Sequence, residues 1–166
     1  MEIRPARPDD QPSIWAILEP VLRGGETYAL PPELSRQDAL AYWHAPTHQV
    51  FVATEGEKVL GTYYLRPNQM GPGAHVANCG YMTAEAARGR GVASAMCVHS
   101  LAEARRRGYL AMQYNLVVTT NEGAIRLWEK HGFATVGRLP GAFRHPTLGL
   151  VDALVMYRKL EDDGCD

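Results

Sequence analysis

Gly89 and Gly91 punctuate the run Arg88-Gly89-Arg90-Gly91-Val92-Ala93 at the junction of a strand-like segment, His75 to Met82, and a long helical one, Ser94 to Arg107. Strand, glycine loop and helix in that order let a chain hold an anion with its own backbone. Residues without Cβ allow N–H groups to approach closely, and the helix aims its unpaired N–H groups and positive dipole end at the same point. The spacing is neither the nucleoside-triphosphate pattern of Gly, four residues, Gly-Lys-Ser/Thr nor the dinucleotide pattern of three spaced glycines. The bland alternative is an ordinary glycine turn with its arginines in solvent. The context favours a pyrophosphate loop whose contacts come from backbone N–H groups of Gly89 to Ser94, with Arg88 better placed than Arg90 to reach phosphate.

The chain around this loop reads as a single domain, residues 1–160, with a short acidic tail at 161–166. Its 166 residues and 46% hydrophobic content suffice for a substantial core. Seventeen basic against eighteen acidic residues leave a net charge of −1, so no global field draws nucleic acid or an anionic membrane. Cys79, Cys97 and Cys165 lack metal-ligand spacing and read as reduced cytosolic thiols. No stretch approaches a membrane span and the start is not a signal peptide, so a cytoplasmic location is expected, with no metal, nucleic acid or membrane partner.

Periodicity and punctuation give the element order. Glu2–Arg7 is a strand, and Pro8-Asp9-Asp10 opens a helix that runs to about Leu22 and ends at Gly24-Gly25. Ser35, three before Asp38, caps a helix from Gln37 to His44. Gln49–Ala53 and Lys58–Leu65 form a hairpin about Glu55-Gly56-Glu57, and Asn68 to Gly73 is a turn. Tyr109–Val118 follows the helix through Gly108. Phe133–Gly137 and Leu150–Leu160 make a last hairpin with a long connection, Leu139 to Pro146. Val92, Ala95, Met96, His99 and Ala102 form one core-facing helical stripe, and Ala124, Leu127, Trp128 and His131 another. Strand, two helices, three strands, helix, strand, helix, two strands implies an α/β fold, a mixed sheet covered by helices on both faces.

Arg88-x-x-Gly91-x-Ala93 resembles the coenzyme A signature of the GNAT superfamily of N-acetyltransferases, and Asn121-Glu-Gly-Ala124 to Trp128, followed by Gly132-Phe133, resembles its second motif. The resemblance covers nearly the whole chain. It implies the GNAT fold, a mixed central sheet of about seven strands with strands 4 and 5 splayed, and acetyl-CoA as cosubstrate. It also implies cofactor contacts from Met82, Arg88, Gly89, Arg90, Gly91, Val92, Ala93, Ser94 and Asn121, the N–H near Met82 stabilising the oxyanion. Asn121 is equally a simple N-cap. Trp128 stands where many relatives carry an acidic tyrosine. Its N–H is no acid, so core packing is its expected role and the general acid is unassigned.

Asn78 and Asn115 lie in interior strands that disfavour asparagine, so each needs a specific partner. That partner is either a backbone group at a bulge or splay, or the substrate. His75–Met82, Met112–Val118 and Gly137–His145 are similar to segments of the fungal proline-analogue N-acetyltransferases, in which matching asparagines are functional. That likeness implies acetylation of a small amino acid or proline-like amine, Asn115 holding the substrate and Asn78 orienting the amine or a water. Thr27 and Tyr28, between the first helices, and Arg144 and His145, in the last connection, are further candidates for binding a carboxylate. His99 reads as a satisfied core histidine and Arg105–Arg107 as a solvated helix end. Two rival readings are an acetyltransferase of a protein N-terminus, polyamine or antibiotic, and a non-catalytic acetyl-CoA sensor. Whether the chain pairs as a homodimer stays open.

Overall fold

The computed structural model describes residues 1–160, and Cys165 and the acidic tail at 161–166 lie outside the described residues. Two compact units share the described residues: Met1–Arg66 with Gly80–His99, and Pro67–Cys79 with residues 100–160.

The first unit begins with β1 (Glu2–Pro5), followed by α1 (Gln11–Gly24), α2 (Arg36–Trp43), β2 (Gln49–Glu55) and β3 (Lys58–Pro67). Helix α1 is entered through a 3-10 turn at Pro8–Asp10 and stops at Gly25, whose φ of 63° suits the left-handed C-cap. The side chain of Asp10 accepts from Arg4 at 2.7 and 2.9 Å, and that guanidinium holds its carboxyl below the usual range. Ser35 caps α2 as expected, its hydroxyl accepting from the Asp38 N–H at 3.1 Å. Strands β2 and β3 form the expected hairpin about Gly56, at φ 58°. The core here is Ile14, Ile17, Leu18 and Leu22 of α1, Ala39 and Trp43 of α2, and Val52, Val59, Tyr64 and Met82. Each large side chain so buried contributes roughly 1.5–3 kcal/mol of transfer free energy.

Strand β4 (Val76–Thr83) and helix α3 (Val92–Arg106) each run through both units. The second unit adds β5 (Ala111–Val118), α4 (Glu122–Lys130), β6 (Ala134–His145) and β7 (Gly149–Lys159). In hydrogen-bonded order the seven strands run β1-β2-β3-β4-β5-β7-β6. The β4–β5 pair is parallel and α3 is its crossover, whereas β1–β2, β2–β3, β5–β7 and β6–β7 are antiparallel. Gly108, at φ 84°, ends α3. An aromatic group anchors the second unit: Tyr114 stacks on Phe133 at 4.3 Å and meets Trp128 at 4.9 Å.

Two expectations fail. Leu139 to Pro146 is not a long connection but the body of β6, twelve residues with irregular register between Leu139 and Phe143. The Asp152 carboxylate of β7 accepts from the Gly141 N–H at 2.8 Å and from Arg138 Nε at 2.6 Å, which holds the proline-glycine step as a bulge within the ladder. Helix α3 buries Val92, Met96, Cys97, Ser100, Leu101 and Ala104, and Ala102 is exposed. Alanines at 93, 95, 102 and 104 leave the phase of the stripe ambiguous in sequence, and the packed face lies one step round from the expected one.

Candidate functional site

The glycine loop begins at a 3-10 turn, Glu85–Ala87, after which Arg88 is extended and Gly89 and Gly91 take φ of 74° and 79°. Two left-handed residues in three steps bend the backbone into a concavity of the kind that receives anions. A Cβ built at either glycine meets nothing within 4 Å, so the space over the loop is open. Some loop N–H groups are used internally: Arg88 donates to Glu85 C=O at 3.2 Å and Arg90 to Ala87 C=O at 3.3 Å. Helix bonding starts with Ala95 N–H to Gly91 C=O at 3.0 Å, so the N–H groups of Val92 and Ala93 belong to the first turn, which has no intrahelical acceptor. Arg90 pairs with Glu55 at 2.8 Å, an exposed ion pair that draws it aside, while Arg88 is exposed. The loop therefore offers a pyrophosphate its backbone, and the Arg90 side chain rests on Glu55 in an exposed pair of the weak kind.

Also in the first unit, the Tyr28 hydroxyl donates to the Tyr81 C=O at 2.9 Å, tying the α1–α2 connection to β4. Thr27 beside it is half-buried. Met82 is 3% exposed and packs in the core, so its backbone rather than its side chain is the part available to chemistry. His99 is satisfied as expected, with the Tyr63 hydroxyl 2.6 Å from its Nδ1.

The second unit gathers the amides. The parallel ladder pairs Val76 with Ala111 and Ala77 with Met112. At the next position the Asn78 side chain takes over, its Nδ2 donating to the Gln113 C=O at 2.9 Å. Because a backbone carbonyl only accepts, this bond fixes the amide's orientation and turns Oδ1 away as an acceptor. Asn115 lies where the β5–β7 register shifts between Tyr114 and Val117, a bulge that re-aims its side chain. It accepts from Gln113 Nε2 at 2.9 Å and donates to Asn68 Oδ1 at 2.7 Å. Asn68 and Gln113 were not expected from sequence. Asn68 read as a turn residue, and its burial at 9% exposure is the signal that sequence lacks.

The remaining candidates separate from this cluster. Asn121 is the N-cap of α4, its Oδ1 accepting from Ala124 N–H at 3.3 Å. Trp128 is buried against Tyr114. His145 Nδ1 accepts from the Thr147 and Leu148 N–H groups at 3.2 and 3.3 Å, which commits it to the β6–β7 turn, and Arg144 is exposed beside it. Of the triplet closing α3, Arg106 and Arg107 both pair with Glu103 at 2.7 Å.

Compared with protein families, residues 13–133 match the model of the acetyltransferase (GNAT) family. The chain belongs to the GNAT family. Its members carry out acetyl-CoA-dependent N-acetylation, and this chain is an N-acetyltransferase of that kind. A GCN5-related N-acetyltransferase from Kribbella flavida is similar in structure, with a TM-score of 0.91 at 42% identity over 95% of this chain and 96% of that one. The expected fungal likeness is met by N-acetyltransferase aca1 of Schizosaccharomyces pombe, 28% identical over 160 residues, 83% of this GNAT chain and 76% of that protein. The fold is shared with yncA from Salmonella typhimurium, solved with its cofactor acetyl-CoA, at a TM-score of 0.85 and 21% identity over 100% and 97% of the two chains.

Proposed function

We propose that this GNAT chain acetylates the nitrogen of a small amino acid or proline-like analogue, by direct attack within a ternary complex. Acetyl-CoA supplies a thioester carbonyl that the amine attacks, the C–N bond forming as the C–S bond breaks. The glycine loop holds the pyrophosphate with main-chain N–H groups. The peptide joining Tyr81 to Met82 offers its N–H to the developing oxyanion. Its carbonyl accepts from the Tyr28 hydroxyl, and a hydrogen bond on one end of a peptide group polarises the N–H at the other.

The observation that carries the acceptor reading is the set of uncharged amides at the interrupted β4–β5 ladder. An ammonium cannot attack, so the nitrogen must arrive neutral or lose its proton on binding. Asn78 Oδ1, oriented by the bond from Nδ2 to Gln113, accepts an N–H of the amine or orders the water that removes its proton. Asn115, held between Gln113 and Asn68, positions the substrate. A thiolate with a pKa of about 8.5 leaves without strong acid assistance, which accommodates a tryptophan at position 128.

The test follows free thiol release with azetidine-2-carboxylate, hydroxyproline, a short peptide with a free N-terminus, spermidine and an aminoglycoside side by side. The ring amino acids should turn over fastest. Faster turnover of the peptide, polyamine or antibiotic overturns the acceptor reading, and no turnover with any amine favours a sensor.

A further inference from the structure

Beside the β2–β3 hairpin lies a group of basic side chains to which the steps proposed above give no part. Gln49 pairs with Leu65 and Val50 with Tyr64 in the ladder. One more step of the same register sets His48 opposite Arg66, and alternation puts His48, Val50, Tyr64 and Arg66 on one face. The rings agree with this placement. His48 stacks on Tyr64 at 4.1 Å and 16°, and Tyr42 stands edge-on to both at 5.7 and 6.2 Å. The Trp43 carbonyl lies 3.0 Å from His48 Nδ1, so the proton of the neutral ring sits there and Nε2 is left for another partner. Gly80 makes room for the assembly, since a Cβ there would come within 2.6 Å of the Tyr64 ring.

Two atoms of this region are buried with no hydrogen-bond partner among the described residues: His44 Nε2, at the C-cap of α2, and Arg66 Nε. Burying a donor without an acceptor forfeits its hydration, and a guanidinium has no neutral form in which to escape that cost. Among the described residues the titratable groups acting on His48 are Arg66 and His44, and neither is a carboxylate. Burial lowers the pKa of both histidines. At neutral pH the cluster thus holds one fixed positive charge, which matches a monoanion better than a phosphate dianion.

We infer that Arg66, His44 and His48 form a binding site for a small carboxylate, seated on the guanidinium fork and walled by Tyr64 and Tyr42. A planar two-oxygen anion satisfies a guanidinium edge bidentately, and the histidine nitrogens supply the remaining partners. The inference stands whatever amine is acetylated. The carboxylate has two sources, the acceptor itself or a separate carboxylic acid that modulates the enzyme.

Acetate is the probe, titrated into the full chain while the imidazole proton signals of His44 and His48 are followed by NMR, with chloride as the ionic-strength control. Saturable movement of both signals and an upward shift of their titration midpoints are expected. Arg66→Gln should weaken acetate binding by about tenfold or more, the scale of a charge-assisted hydrogen bond, while Arg66→Lys retains part of it. Melting temperatures establish that each variant is folded. If acetate competes with azetidine-2-carboxylate in the thiol-release assay, the acceptor is the source; if it alters the rate of acetylation of azetidine, which lacks a carboxylate, without competing, the source is a separate acid. Histidine signals that ignore acetate beyond the chloride control, or equal affinity in wild type and folded Arg66→Gln, overturn the inference.

Discussion

Asn78 donates to the Gln113 carbonyl at 2.9 Å at the first position beyond the parallel pairs of β4 and β5, so a side chain continues by one step what the backbone ladder has stopped doing. Structure and chemistry meet in that one amide. Removing it opens the strand gap and also removes the oxygen proposed to meet the amine.

Asn78→Ala and Asn115→Ala are therefore expected to lower both melting temperature and turnover with a proline-like acceptor, leaving coenzyme A affinity nearly unchanged. Each lost hydrogen bond to the transition state is worth about 1–3 kcal/mol, or roughly a tenfold to hundredfold loss in rate. Melting temperature and turnover measured on the same preparations separate the two effects. Normal turnover in both folded variants would remove the asparagines from the chemistry.

Gly91→Val places a β-branched residue at a φ of 79° and fills the open space over the loop. The backbone penalty is roughly 1–3 kcal/mol. Coenzyme A binding should fall far more than stability does, since the added side chain occupies the anion's place. Calorimetric affinity equal to wild type would exclude the loop as the pyrophosphate site.

Tyr28→Phe deletes only the hydroxyl that polarises the Tyr81–Met82 peptide. A net hydrogen bond of about 0.5–1.5 kcal/mol corresponds to roughly a twofold to tenfold drop in kcat. Substrate and coenzyme affinities should hold. A change in KM with kcat intact would mean that Tyr28 lines the acceptor pocket and does not tune the N–H.

Trp128→Phe keeps a ring beside Tyr114 and should cost stability while most activity survives. Trp128→Ala, which empties the space, should cost about 3–5 kcal/mol. Lost turnover at an unchanged melting temperature in Trp128→Phe would contradict a packing role.

Glu103 gives a pH signature. The Arg106 guanidinium, with Arg107 adding to it and burial opposing, lowers its carboxyl pKa from 4.5 to about 2. A pKa depressed by folding contributes stability that is complete above the unfolded value and disappears as pH falls through the folded one. Glu103→Gln should thus melt below wild type at neutral pH, the gap narrowing from pH 4.5 toward 2. A gap that stays constant over that range would show that the loss is one of packing.

Features carried by local signals were legible in the sequence: the order of elements, the Ser35 cap, the turn at Gly56, and the glycine loop with its helix. What escaped depends on partners distant along the chain. Pro140-Gly141 reads as a turn until Asp152, eleven residues beyond Gly141, holds the Gly141 N–H in place. Asn68 looks like a surface turn residue because Asn115, which donates to its side chain, comes 47 residues later. His48 and Arg66 are neighbours only through the β2–β3 register, so no window of sequence contains both.

The contact between Gly80 and Tyr64 sets a rule for how this chain can drift. A methyl group at position 80 would lie 2.6–2.8 Å from the Tyr64 ring, which is wedged between His48 and Trp43 and has nowhere to retreat. Gly61 differs in degree: its Cβ would meet the flexible Met96 thioether end at 2.8 Å and the stiffer, β-branched Val92 at 3.0 Å, both of them buried. Descendants of this sequence can therefore gain bulk at 61 only if Met96 and Val92 both shift, and at 80 only in company with a smaller residue at 64. That exchange would take the floor from under His48, so the two positions are bound to persist together or to change together.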